Sequence, residues 1–109
     1  MEVDTTSNNK IRKPEEISLF FDIRANGYDK HMKENIKSFD ELYKLISNPI
    51  TETKSEISIL DLGCGTGLEV QSILDRCPNA LITGIDVSEK MLSELARKHE
   101  KYLNQIKLI

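Results

Sequence analysis

An apolar run that breaks into alternating glycines constrains this chain more than any other feature. Ile57-Ser58-Ile59-Leu60-Asp61-Leu62 reads as a buried strand, and Gly63-Cys64-Gly65-Thr66-Gly67 as the turn that follows it and opens a helix over Leu68 to Arg76. Glycines at alternate positions let the backbone adopt conformations closed to other residues and bring its N–H groups close to a ligand. The helix N-terminus behind them adds a partial positive charge. Such a turn suits a nucleotide-like cofactor. A second apolar run, Ala80 to Ile85, ends in Asp86, where a carboxylate takes the two hydroxyls of a ribose in this kind of unit.

Glycine turns between strand and helix also occur in folds that bind nothing, so the two acids matter. Asp61 in the first strand and Asp86 at the end of the second would both face the crevice above the carboxyl edge of a parallel sheet, and a purely structural turn needs neither. Spacing then separates the cofactor classes. A dinucleotide fingerprint wants a glycine three residues after Gly65, and Leu68 stands there while Gly67 comes one residue early. A phosphate-binding loop wants a Lys-Ser or Lys-Thr pair after the turn, and none follows.

The wording Leu60-Asp61-Leu62-Gly63-Cys64-Gly65-Thr66-Gly67, followed by Gly84-Ile85-Asp86-Val87-Ser88-Glu89-Lys90-Met91-Leu92, resembles the first two motifs of the class I S-adenosylmethionine-dependent methyltransferases. The likeness covers Ile57 to about Tyr102 and extends loosely to Phe20-Phe21-Asp22 and Tyr28-Asp29, which look like the entry segment of small-molecule methyltransferases. It implies a partial Rossmann-like α/β fold, with the first two to three parallel strands and their helices, preceded by a helical cap. The resemblance also implies S-adenosylmethionine as cofactor. The loop Gly63, Cys64, Gly65, Gly67 would pack under the methionine part, Asp61 would engage its amino group, and Asp86 would accept from the ribose hydroxyls. Val87 and Met91 would pack on the adenine, Met91 being read equally well as core, and Tyr28 would close over the cofactor or simply pack.

A chain of 109 residues builds one modest core, whereas the family's sheet has about seven strands and needs roughly twice that length. The expectation is therefore the cofactor-binding half of a methyltransferase acting on a small molecule, with catalytic residues unknown and outside this chain. Two alternatives stand beside it. One is a truncated, non-catalytic module that binds S-adenosylmethionine or self-associates; the other is a fragment of a nicotinamide-dependent oxidoreductase.

Along the chain, residues 1–13 read as a polar tail, 14–47 as the helical cap, 48–56 as a linker and 57–109 as half of the cofactor domain. Pro14 suits a helix start, Asn26-Gly27 a stop, and Met32, Ile36, Phe39, Tyr43 and Ile46 predict one helix from Tyr28 to Ser47 that covers a core. Ser88 is placed to cap the helix carrying Met91 and Leu95, and Ile106 to Ile109 begin a third strand. The apolar strands predict a parallel sheet covered by helices on both faces.

Fifteen basic and 18 acidic side chains are mixed along the chain, giving a net charge of −3, so nothing indicates nucleic acid. No apolar run reaches membrane-span length and no signal-peptide stretch opens the chain, which makes the cytoplasm the default. Cys64 and Cys77 flank a helix and are expected to remain reduced thiols, and no His or Cys pair stands at metal-ligand spacing. His31 and His99 lie among charged residues and read as surface side chains.

Overall fold

The computed structural model describes residues 14–109, so the expected tail over 1–13 lies outside the described residues. Helix α1 (Pro14–Arg24) runs into a short 3-10 turn at Ala25–Gly27, and α2 (Tyr28–Asn35) and α3 (Phe39–Ser47) follow. After 48–57 comes the repeating part: β1 (Ser58–Leu62), α4 (Val70–Arg76), β2 (Leu81–Ile85), α5 (Glu89–Lys98), a 3-10 turn at Glu100–Tyr102, and β3 (Ile106–Leu108). The three strands are parallel in the order β1-β2-β3. Asp61 stands beside Gly84, and Gly84 beside Leu108.

The single helix expected over Tyr28 to Ser47 is two. Ile36 takes an extended conformation and Ser38 a left-handed one, at φ 57°. The Asn35 side-chain amide donates to the His31 carbonyl at 2.8 Å, and an amide that bonds locally to the backbone competes with helix continuation. The apolar spacing survives the break, but on α3 the side chains of Leu42, Leu45 and Ile46 are exposed, so this segment covers less than its pattern promised.

Helix α4 begins at Val70, two residues later than expected, because Gly67 at φ 72° is still within the turn. Val70, Ile73 and Leu74 of α4 and Leu95 of α5 form one core with Ile82 and Ile106, against which Ile59 and Leu108 pack. Both helices therefore cover the same face. Successive crossovers of one hand that step in one direction across a sheet do so, and the right hand is the rule for parallel strands. The other face carries Leu60, 59% exposed, and Leu62, 71% exposed, along with Leu81 and Ile109, so the expected cover on both faces is absent among the described residues.

Two carboxylates fasten the cap to this frame. Asp22 of α1 accepts from the Ser88 hydroxyl and from the Lys90 N–H at 3.2 Å, at the start of α5. Asp29 of α2 accepts from the Thr66 hydroxyl and pairs with Lys98 at the end of α5. Ser18 adds a bond to the Val87 carbonyl at 2.9 Å. The cap thus meets the two segments, 63–67 and 86–88, in which the sequence concentrated its site residues.

Candidate cofactor site

Gly63, Gly65 and Gly67 have φ of 66°, 55° and 72°, a region that side chains with a Cβ enter at a cost of about 1–2 kcal/mol per residue. The loop folds on itself more than the sequence suggested. The Gly63 and Cys64 N–H groups both donate to the Ile85 carbonyl, at 2.7 and 3.1 Å, and that of Gly67 to the Cys64 carbonyl at 2.9 Å. The Gly65 N–H donates to Asp86 Oδ2 at 2.8 Å. What these glycines offer is less a set of free donors than bare backbone surface. A Cβ at Gly63 or Gly65 would point into open space, whereas one at Gly67 would strike Leu95.

Asp86 is fixed from two sides, by Gly65 N–H on Oδ2 and by Ser88 N–H on Oδ1 at 2.9 Å. Each carboxylate oxygen keeps lone pairs for further donors. The carboxylate opens onto a cavity of about 390 Å3 lined by Phe21, Tyr28, Gly63, Gly65, Ile85, Asp86, Val87 and Met91. That volume lies in the range of small-ligand clefts. Six of the nine residues singled out in the sequence meet here. Met91 is both 1% exposed and part of the lining, so its core and site readings coincide. Burial, followed by the nearby carboxylates of Asp29, Glu69 and Asp86, raises the Tyr28 phenol and keeps it neutral.

The other three lie behind the wall. Gly67 is buried against Leu95 and Val70, and Cys64 packs into the core beneath Gly84. Burial, with Asp61 and Asp86 adding to it, pushes the Cys64 thiol up to about 12, so at neutral pH it offers no thiolate to act as a nucleophile. Asp61 is partly buried, and its Oδ2 is enclosed without a hydrogen-bond partner, as is Glu69 Oε2. Cys64 and Cys77 are both buried free thiols.

Two residues depart from the sequence reading. His99 is buried, not on the surface: α5 ends at Lys98, and the ring turns inward to place Nε2 3.2 Å from the Gly67 carbonyl. Burial lowers its pKa, so it sits neutral against the loop. Glu69 carries no signal in the sequence, because an acid near a helix start is ordinarily a solvated first-turn residue. His31 is exposed, as expected.

Gly65→Val is expected to fold with a loss of about 1–2 kcal/mol from the left-handed backbone. Its side chain would project from a loop position that lines the cavity. Calorimetry should then find no nucleoside binding, and a variant that still binds would move the ligand away from this loop.

The matches to known proteins fall on the same segment. Residues 59–109 match a methyltransferase domain family model. Over 81 residues, 74% of this chain, the sequence is 37% identical to a malonyl-[acyl-carrier protein] O-methyltransferase of Acetivibrio thermocellus. That segment belongs to the N-terminal part of the class I S-adenosylmethionine-dependent methyltransferase family. A trans-aconitate 2-methyltransferase of Pseudomonas aeruginosa is 32% identical over 85 residues, 72% of the chain. The chain spans 27% and 31% of the length of these two methyltransferases. Among solved structures, an amino pentose methyltransferase from Micromonospora echinaspora with S-adenosylmethionine bound superposes with a TM-score of 0.54 at 22% identity. That superposition covers 74% of this chain and 32% of that one. The DhpI complex with S-adenosylmethionine reaches a TM-score of 0.61 at 18% identity, covering 92% of this chain and 44% of that one. These superpositions establish the Rossmann-like methyltransferase fold, here with three of its parallel strands and the preceding helices.

Proposed function

We propose that this chain binds S-adenosylmethionine in the cavity between the glycine loop and Asp86, as the cofactor-binding part of a methyltransferase acting on a small molecule. The observation that carries the reading is Asp86. Its carboxylate is held by two backbone N–H groups at the wall of a cavity floored by Gly63 and Gly65, with the apolar side chains of Val87, Met91, Ile85 and Phe21 beside it. That suits a nucleoside, whose ribose offers two donors and whose base offers an apolar face. The enclosed Asp61 Oδ2 behind the loop suits the amino group of the methionine part. When bound, the cofactor supplies an electrophilic methyl group on a sulfonium, and the protein's work is to orient the acceptor and exclude water.

A second cavity of about 520 Å3, lined by Phe20, Ile23, Arg24, His31 and Met32, shares Phe21 and Tyr28 with the first. It offers the acceptor a place beside the cofactor, within the cap. Trans-aconitate and malonyl-acyl-carrier protein, the acceptors in the names of the two relatives, are the first to assay. No described helix is long and apolar enough to cross a membrane, and we read the protein as cytoplasmic.

Titration calorimetry with S-adenosylmethionine, S-adenosylhomocysteine and NAD tests the reading: the first two should bind and NAD should not. NAD binding alone would favour an oxidoreductase. The open apolar face at Leu60 and Leu62 favours a second reading, a binding module that associates with another copy. Light scattering separates the two: a concentration-dependent dimer supports association, and a monomer at high concentration excludes it.

A further inference from the structure

Asp61 Oδ2 and Glu69 Oε2 are the buried side-chain oxygens without a hydrogen-bond partner among the described residues. They belong to neighbouring carboxyl groups on two different elements, Asp61 in β1 and Glu69 in the turn before α4. Two ionised carboxylates in contact repel each other, and each loses hydration on burial, so the pair is satisfied either by one shared proton or by a cation.

We infer that Glu69 is a positioning residue of the cofactor site, whose carboxyl group holds a proton against Asp61 in the ligand-free protein and releases it to solvent when a primary ammonium settles between the two acids. This rests on the S-adenosylmethionine reading. It adds to Asp61 a second recognition group and makes binding proton-linked.

Among the described residues, the cation that acts on Glu69 already has a partner. From α5, Lys98 reaches toward the pair, but it is engaged by Asp29 of α2. Tyr28 of α2 and Tyr43 of α3 feel the Glu69 charge and are held neutral by burial. From the loop, Cys64 is held neutral by burial. Burial above all, then the adjacent Asp61 carboxylate, raises Glu69 to about 8, while its own backbone and Lys98 act the other way. An ammonium carries three N–H donors, enough for both enclosed oxygens, and charge-assisted bonds of this kind are the strong ones. A nucleoside without the amine lacks those donors.

The sign follows. Below pH 8 the ligand must expel the proton from Glu69, so affinity weakens as pH falls, by up to about tenfold per pH unit until the acid's pKa in the complex is reached. The test is calorimetric titration of the full chain with S-adenosylhomocysteine at pH 7, in buffers of different protonation enthalpy. Wild type should release close to one proton more than Glu69→Gln, whose amide donates to Asp61 permanently. Its affinity should fall from pH 8 to pH 6 more steeply than that of the variant. 5′-Methylthioadenosine, which lacks the amine, should bind without this release. Equal proton counts in wild type and Glu69→Gln would overturn the inference while leaving the cofactor reading intact. Failure of wild type to bind either nucleoside would overturn the cofactor reading itself. Should Glu69→Gln not fold, carboxyl-carbon NMR of wild type decides: a Glu69 titration near pH 8 that moves down on adding S-adenosylhomocysteine supports the inference, and one that stays put overturns it.

Discussion

Gly67→Ala should cost about 2–5 kcal/mol of folding stability, the largest effect expected from any single methyl group in this chain. The backbone term is about 1–2 kcal/mol for a left-handed conformation, and overpacking a filled core adds about 1–3 kcal/mol. The second term has a visible cause: a Cβ at 67 would lie 2.7 Å from Leu95 Cγ and 2.8 Å from its Cδ1, and Leu95 is 1% exposed. Urea unfolding measures the loss, and Gly63→Ala is the control. Position 63 has nearly the same φ but nothing within 4 Å of the added carbon, so it should pay the backbone term alone. Equal losses at 63 and 67 would show that Leu95 yields freely and that the loop does not rest on α5. Against a total stability of about 5–15 kcal/mol, the difference is decisive for whether the variant remains folded.

Asp86→Ala is the second. Hydrogen bonding to a charged group contributes about 1.5–3 kcal/mol, so a net loss of that size should weaken nucleoside binding by roughly ten- to a hundredfold. The same substitution frees the Gly65 and Ser88 N–H groups, so the loop keeps its two bonds to the Ile85 carbonyl but loses the tie at Gly65. Asp86→Asn keeps one carbonyl acceptor and should fall between wild type and alanine. Calorimetry with S-adenosylhomocysteine reads the series, and unchanged affinity in Asp86→Ala would remove this residue from the site.

The parts of this molecule that were legible in the sequence are those set by short-range rules. The strand, the glycine turn and the acid closing the second strand follow from apolar runs punctuated by residues with one mechanical use each, and Ser88 accepts from the Met91 N–H at 3.1 Å as a helix cap should. The third strand appeared where Ile106 begins it. Most of the misreadings are matters of what lies opposite. His99 follows a charged stretch, and only the fold reveals the Gly67 carbonyl facing it. Glu69 looks solvated until Asp61 is seen beside it. The break at Ile36 to Ser38 left the apolar period intact, so periodicity had no means of detecting it. The bare sheet face escaped because apolar strands record what a sheet is suited to contact, not what covers it.

Ser88 has a consequence for which residues that position can tolerate. It is fully buried, its N–H donates to Asp86, and its hydroxyl both accepts from Met91 N–H and donates to Asp22. Aspartate ranks with serine as a helix cap in general, but a carboxylate can only accept, and here it would meet two other carboxylates in a closed space. Alanine removes both hydroxyl bonds at once. Variation at position 88 is thereby confined to a hydroxyl on a short stem, although the helix it begins would accept several other residues if it stood alone.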